Sequence, residues 1–129
     1  MKDELGWGIV RLECRSGFRE TVARLKTALE RRHLRVLAEI DHSGDAASVG
    51  ISMPATRLFI FGNPVAGTPL MLHAPLAALD LPLKALVFEE GGSVWIAYNS
   101  PEYLQHRHGF SDILLKNVSG IREICQEAT

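Results

Sequence analysis

The sequence predicts a single α+β domain spanning residues 1–129, with a largely antiparallel sheet of about five strands and two long helices on one face. Three observations predict it. The major elements read strand, helix, four strands, helix. Gly91-Gly92 separates two strand-like runs and suits a two-residue hairpin turn that needs positive φ. Leu58-Phe59-Ile60-Phe61 and Ala85-Leu86-Val87-Phe88 do not alternate in polarity, as expected of strands covered on both faces.

The first strand is Gly8–Arg15, where Val10, Leu12 and Cys14 alternate with Arg11, Glu13 and Arg15. Ser16-Gly17 starts a helix over Phe18–Arg32, with Phe18, Val22, Leu25 and Leu29 at helical spacing. Its basic end, Arg31-Arg32, suits the negative end of the helix dipole. Arg35–Asp41 is the second strand. The small, polar stretch His42–Gly50 holds Ala46 and Ala47, enough for one helical turn, and Thr56–Gly62 is the third strand. The excursion Asn63–Pro82 has too many prolines for one long element. Short helices starting near Pro64 or Thr68, and again at Pro75, fit it best. Leu83–Glu90 and Ser93–Asn99 form the hairpin, and Pro101 opens a short helix through about His106. The last helix is expected over Ser111–Glu127, with Ile113, Leu114, Val118, Ile121 and Cys125 towards the core. The two long helices cover one face only. The other needs the excursion, a second subunit, or both.

Composition bounds the function classes. A chain of 129 residues can bury about two-thirds of its unfolded surface around one core. With 47% hydrophobic and 22% charged residues it reads as a soluble globular protein. Net charge −1, without a basic stripe interleaved with aromatics, gives no reason to expect nucleic acid or an anionic membrane as partner. The stretch poorest in charge, Leu58–Leu83, holds four prolines plus Asn63, His73 and Asp80, so it cannot form one bilayer-spanning helix. The acidic start MKDELGWG does not read as a signal peptide. Cys14 and Cys125 match no redox or zinc spacing and read as small buried hydrophobes of a reducing cytoplasm.

The strings FGNPVAGTPLM (Phe61–Met71), LDLPLKALVFEE (Leu79–Glu90), VWIAYNSPEYL (Val94–Leu104) and RHG (Arg107–Gly109), with Asp41-His42, resemble the domain of unknown function 302 family. The resemblance implies a fold similar to the TATA-binding-protein-like class, a bacterial or archaeal source and frequent dimerisation. It implies no activity and no cofactor.

Candidate site residues are Asp41, His42, Asn63, Tyr98 and Asn99, all at or just past predicted strand C-termini. A carboxylate beside an imidazole can bind a metal or move a proton. Equally, Asp41 can cap the turn after it, and the residues favour that capping. Gly62-Asn63-Pro64, with Gly67 and Thr68 beyond, resembles an anion-binding helix entry, but it lacks a phosphate loop's lysine and spacing, so a structural turn is favoured. Tyr98 can orient a ligand or satisfy the sheet rim. His106-Arg107-His108 reads as an exposed helix end without a third metal ligand, and His73 as an ordinary histidine. No nucleophile elbow, paired carboxylates or cofactor fingerprint appears. Two functions stay open. One is a small-molecule or metal-ion binding domain using a rim of strand ends, with His42 its leading residue. The other is a non-catalytic homodimeric assembly module, with an apolar interface over Gly67–Leu81.

Overall fold

A computed structural model describes residues 2–5 through their backbone and residues 7–129 throughout. Met1 and Gly6, part of the stretch read for a leader, lie outside the described residues. The order is β1 (Lys2–Leu5), β2 (Ile9–Glu13), α1 (Phe18–Arg31), β3 (Arg35–Asp41), α2 (His42–Ser48), β4 (Thr56–Gly62) and α3 (Pro64–His73). A 3₁₀ turn (Pro75–Leu79) comes next, then β5 (Leu83–Glu90), β6 (Ser93–Asn99), α4 (Pro101–His108), α5 (Asp112–Leu115) and α6 (Ile121–Ala128). The strands pair antiparallel in the order β1-β2-β6-β5-β4-β3. The five expected strands are present. A sixth, Lys2–Leu5, adds to the β2 edge through pairing that its short polar sequence did not advertise.

Local chemistry accounts for most boundaries. Gly91 and Gly92 take φ +61° and +80°, the double positive φ of a tight hairpin turn. At the end of α1, His33 adopts φ +54°. Its N–H bonds the Glu30 carbonyl while the Leu34 N–H reaches back to that of Leu29, so the last turn closes on satisfied carbonyls. Asn63 caps α3 through Oδ1, which accepts from the Val65 N–H at 3.0 Å.

The core lies between one sheet face and the pair α1 and α6. Val22, Leu25 and Leu29 of α1 and Ile121, Ile124 and Cys125 of α6 pack with Val10, Leu12, Phe59, Phe61, Ala85, Val87, Ile96 and Tyr98. Burying each of the large side chains stabilises the fold by about 1.5–3 kcal/mol. A second cluster of Leu70, Leu104, Phe110 and Val118 joins α3, α4 and the segments around α5.

Three expectations change. The final helix is not continuous over Ser111–Glu127; it breaks over residues 116–120. Ser119 and Gly120 are weak helix formers, and Asn117 Nδ2 instead donates to the Ala66 carbonyl at 3.1 Å. Ile113 is consequently 78% exposed rather than facing the core. Burial in the two apolar strands also alternates. Phe59, Phe61, Ala85 and Val87 are buried, whereas Leu58, Ile60, Leu86 and Phe88 on the other face are half-buried. The excursion does not cover that second face. It packs past the Gly62 and Leu83 ends of β4 and β5, where Leu81 and Leu83 join the second cluster.

Candidate functional site

Antiparallel pairing splits the expected rim. Asp41 pairs with Arg57 at the start of β4, whereas Arg35 pairs with Gly62 at its end. Asp41 and Asn63 therefore sit at opposite ends of the sheet, because neighbouring antiparallel strands terminate in opposite directions. At the Asp41 end the carboxylate is committed locally. Its Oδ1 accepts from the Gly44 N–H at 2.9 Å and the Ser43 hydroxyl at 3.0 Å, and Arg57 lies 3.6 Å from Oδ2. Those two hydrogen bonds, then the Arg57 charge, hold the Asp41 carboxyl below the usual carboxylate range. Asp41 thus caps α2, and His42 is exposed at the start of that helix. Among the described residues, no group of three or more His, Cys, Asp or Glu side chains is placed to hold a metal ion.

Asn99 and Asn63 share the other end of the sheet. Asn99 pairs with Ile9, and β5 lies between the strands that carry the two asparagines. Tyr98 is drawn into the apolar core instead of the rim, because its register opposite Val10 and Ala85 places it on the helix-covered face.

Of the five, Asn63 lines a well-formed pocket. This cavity, of about 290 Å³, lies between the start of β3, the end of β4, α3 and the start of β5. Its walls are mainly apolar, with Leu37, Met71, Leu81, Pro82, Leu83 and Val118, and Ala66, Gly67 and Thr68 line its α3 side. Arg35 is the one charged residue in the lining, and Asn63 and Asn117 add amides. Leu37 reaches the pocket at a register shift between Val36 and Ala38, where a bulge redirects the side chain of the edge strand.

A second cluster flanks that wall. His108 Nε2 lies 2.6 Å from Asp80 Oδ2, and Arg107 approaches the same carboxylate at 3.3 Å. The His108 side chain is 6% exposed, which corrects the expectation of an exposed helix end for that residue; His106 and Arg107 remain exposed. Sequence reading missed this pair, 28 positions apart, and it missed Arg35, Leu37 and Asn117. No local signal marks any of them, since the pocket draws on four separated stretches of chain.

A mixed-order antiparallel sheet with two helices on one face and a pocket at a strand-to-helix turn defines a small α+β domain. The match to Domain of unknown function DUF302 runs over residues 10–128. The chain belongs to that family. It is similar to the crystal structure of an uncharacterized conserved DUF302 protein from Bacillus stearothermophilus, with a TM-score of 0.78 at 19% identity and 94% of both chains covered. It is also 38% identical over 113 residues to Fluoride-specific ion channel FluC 1 of Brucella suis, covering 84% of this chain and 44% of that protein. The Brucella abortus protein of the same name matches at 38% over 42% of its length. The chain therefore spans less than half of these curated relatives. Among its described residues no helix is long and apolar enough to cross a membrane.

Proposed function

We propose that this chain is a small-molecule-binding domain whose site is the pocket at the Gly62-Asn63-Pro64 turn. The observation that carries this reading is the pocket itself: a concave, mainly apolar cavity with a few convergent polar groups, the usual character of a ligand site. Of the residues singled out from sequence, Asn63 belongs to it. The relatives named as fluoride channels have more than half their length outside the aligned stretch.

The test is a thermal-shift screen of small metabolites against the protein and Gly67→Leu. A side chain grown from Gly67 enters the pocket beside Leu81, whose Cδ1 would lie 3.9 Å from the new Cβ. A ligand at a hundred times its Kd raises stability by about 2.7 kcal/mol. Hits should vanish in Gly67→Leu. Hits that persist there would move the site elsewhere.

A second reading, self-association, rests on a different observation. Val65, Leu72, Leu76 and Leu79 of the excursion are all more than two-thirds exposed, and Leu58, Ile60, Leu86 and Phe88 stay half-buried on the sheet. Apolar surface of that extent is usually covered by a partner. We infer a homodimer, with the excursion as its main contact.

A further inference from the structure

We propose that the pocket takes a small aliphatic carboxylate, its head group on Arg35 and its chain along Leu37, Met71, Leu81 and Val118; this rests on the pocket being the ligand site. The lining contains no carboxylate. Its one charge is the Arg35 guanidinium, which has no carboxylate partner among the described residues. Elsewhere Arg11, Arg24, Arg31, Arg32, Arg57, Arg107 and Arg122 each have such a partner, and Arg15 and Arg19, which like Arg35 have none among the described residues, line no part of this pocket.

Of the two lining amides, Asn63 is biased the same way, whereas Asn117 spends its NH₂ on the Ala66 carbonyl. The Asn63 carbonyl oxygen is occupied by the Val65 N–H, which leaves its NH₂ group to donate. α3 begins at Pro64, a lining residue, and its Val65, Ala66 and Gly67 N–H groups are already taken by Asn63, so the rim's free donors are side chains. A head group that accepts hydrogen bonds and carries negative charge suits this rim, and a planar carboxylate suits a guanidinium fork in particular.

The walls decide what the head group must carry. An inorganic anion would use only the rim and leave the apolar lining unfilled. The volume of about 290 Å³ corresponds to about ten water-sized units, so the ligand has on the order of ten non-hydrogen atoms. Met71 can adjust its unbranched side chain to the shape of the tail.

The experiment compares octanoate with octanamide, which has the same heavy-atom count and no charge, and with octylamine and inorganic phosphate. Binding is monitored by amide chemical shifts in the full chain. Octanoate should bind and move the signals of lining residues; octanamide should bind about fivefold more weakly, octylamine more weakly still, and phosphate alone not at all. Arg35→Gln should bring octanoate to the octanamide level, and Arg35→Lys should restore part of the difference. Arg35 is exposed, so both variants should fold, and their spectra check this directly. Equal binding of octanoate and octanamide by the native chain would overturn the carboxylate assignment and leave the pocket reading intact. A preference for octanoate that survives Arg35→Gln, or phosphate binding as tight as octanoate, would overturn it too. If none of the eight-carbon probes moves a lining residue at millimolar concentration, the pocket reading itself falls.

Discussion

Two glycines make opposite demands on their surroundings. Gly8 has φ +76°, and a Cβ built on it would lie 2.1 Å from Cγ of Tyr103. Both the backbone and the ring oppose a side chain there. Gly8→Ala should therefore lower stability by about 2–4 kcal/mol in urea unfolding. Gly67 lies inside α3 with only an ordinary contact at 3.9 Å, so Gly67→Ala should raise stability by about 0.5–1 kcal/mol. Similar effects from the two substitutions would refute this account. Titration adds a second prediction. Asp41 is held below the usual carboxylate range by the Gly44 N–H and the Ser43 hydroxyl, and Glu127 by its hydrogen bond and ion pair with Arg32. Each keeps its charge in the folded chain at pH values where the unfolded chain takes up a proton. Their contribution is thus complete above the ordinary carboxylate pKa of about 4 and disappears as pH falls through the lower folded values. The fall in denaturation midpoint below about pH 4 should be shallower in Asp41→Asn/Glu127→Gln than in the native chain. An identical acid slope would remove these two groups from the explanation. The Cys14 and Cys125 thiols go the other way, since burial pushes both upward, so neither is a reactive thiolate near neutrality.

Among the elements, the excursion between β4 and β5 is held at both ends by side chains distant in sequence. Asn117 Nδ2 grips its start at the Ala66 carbonyl, and Asp80, at its far end, meets His108 and Arg107 of α4. Leu81 and Pro82, immediately after Asp80, form a wall of the pocket, so this contact sets where that wall stands. Asp80→Ala leaves the His108 ring buried without its partner and should cost about 1–3 kcal/mol. Limited proteolysis should then cut faster within residues 64–82. A variant with unchanged stability and unchanged cleavage would show that the pair is incidental. Elements that rest on core packing respond differently, since Leu25 and Leu29 hold α1 through buried surface alone.

For the whole molecule, the balance lies between the covered and uncovered faces of the sheet. α1 and α6 bury one face completely, with Phe59, Phe61, Val87 and Ile96 inaccessible to solvent. On the other, Leu58, Ile60, Leu86 and Phe88 stay half-buried, and the Arg11 guanidinium lies 4.3 Å above the Trp95 ring. If the excursion is the main contact of a homodimer, sedimentation at micromolar concentration should give twice the chain mass of 14.2 kDa. Leu72→Glu/Leu76→Glu should return it to that mass while leaving the unfolding midpoint of the monomer unchanged. Dissociation by Leu86→Lys alone would place the contact on the sheet face, and a native chain that sediments at 14.2 kDa would end the self-association proposal.

Five of the six strands, the α1 helix, the Gly91-Gly92 hairpin and the capping of α2 by Asp41 were legible in the sequence because each rests on local physics. Period-two and period-3.6 patterns, positive φ at glycine and a side chain bonding a backbone two or three residues away are all local in the chain. Non-alternating apolar strands were a weaker guide. Leu58 and Leu86 are apolar without being buried by this chain, since polarity alone does not say what lies above a face. The pocket was illegible for a related reason. Arg35 and Leu37 meet Asn63, Met71 and Leu81 only because β3 pairs with β4 and the excursion folds back past their ends. The same pairing sends Asp41 to the far end of the sheet from Asn63 and turns Tyr98 into the core. Which strand ends share a rim depends on strand order and direction, which no local pattern encodes. Local sequence therefore determined the elements, and long-range pairing decided where a ligand can sit.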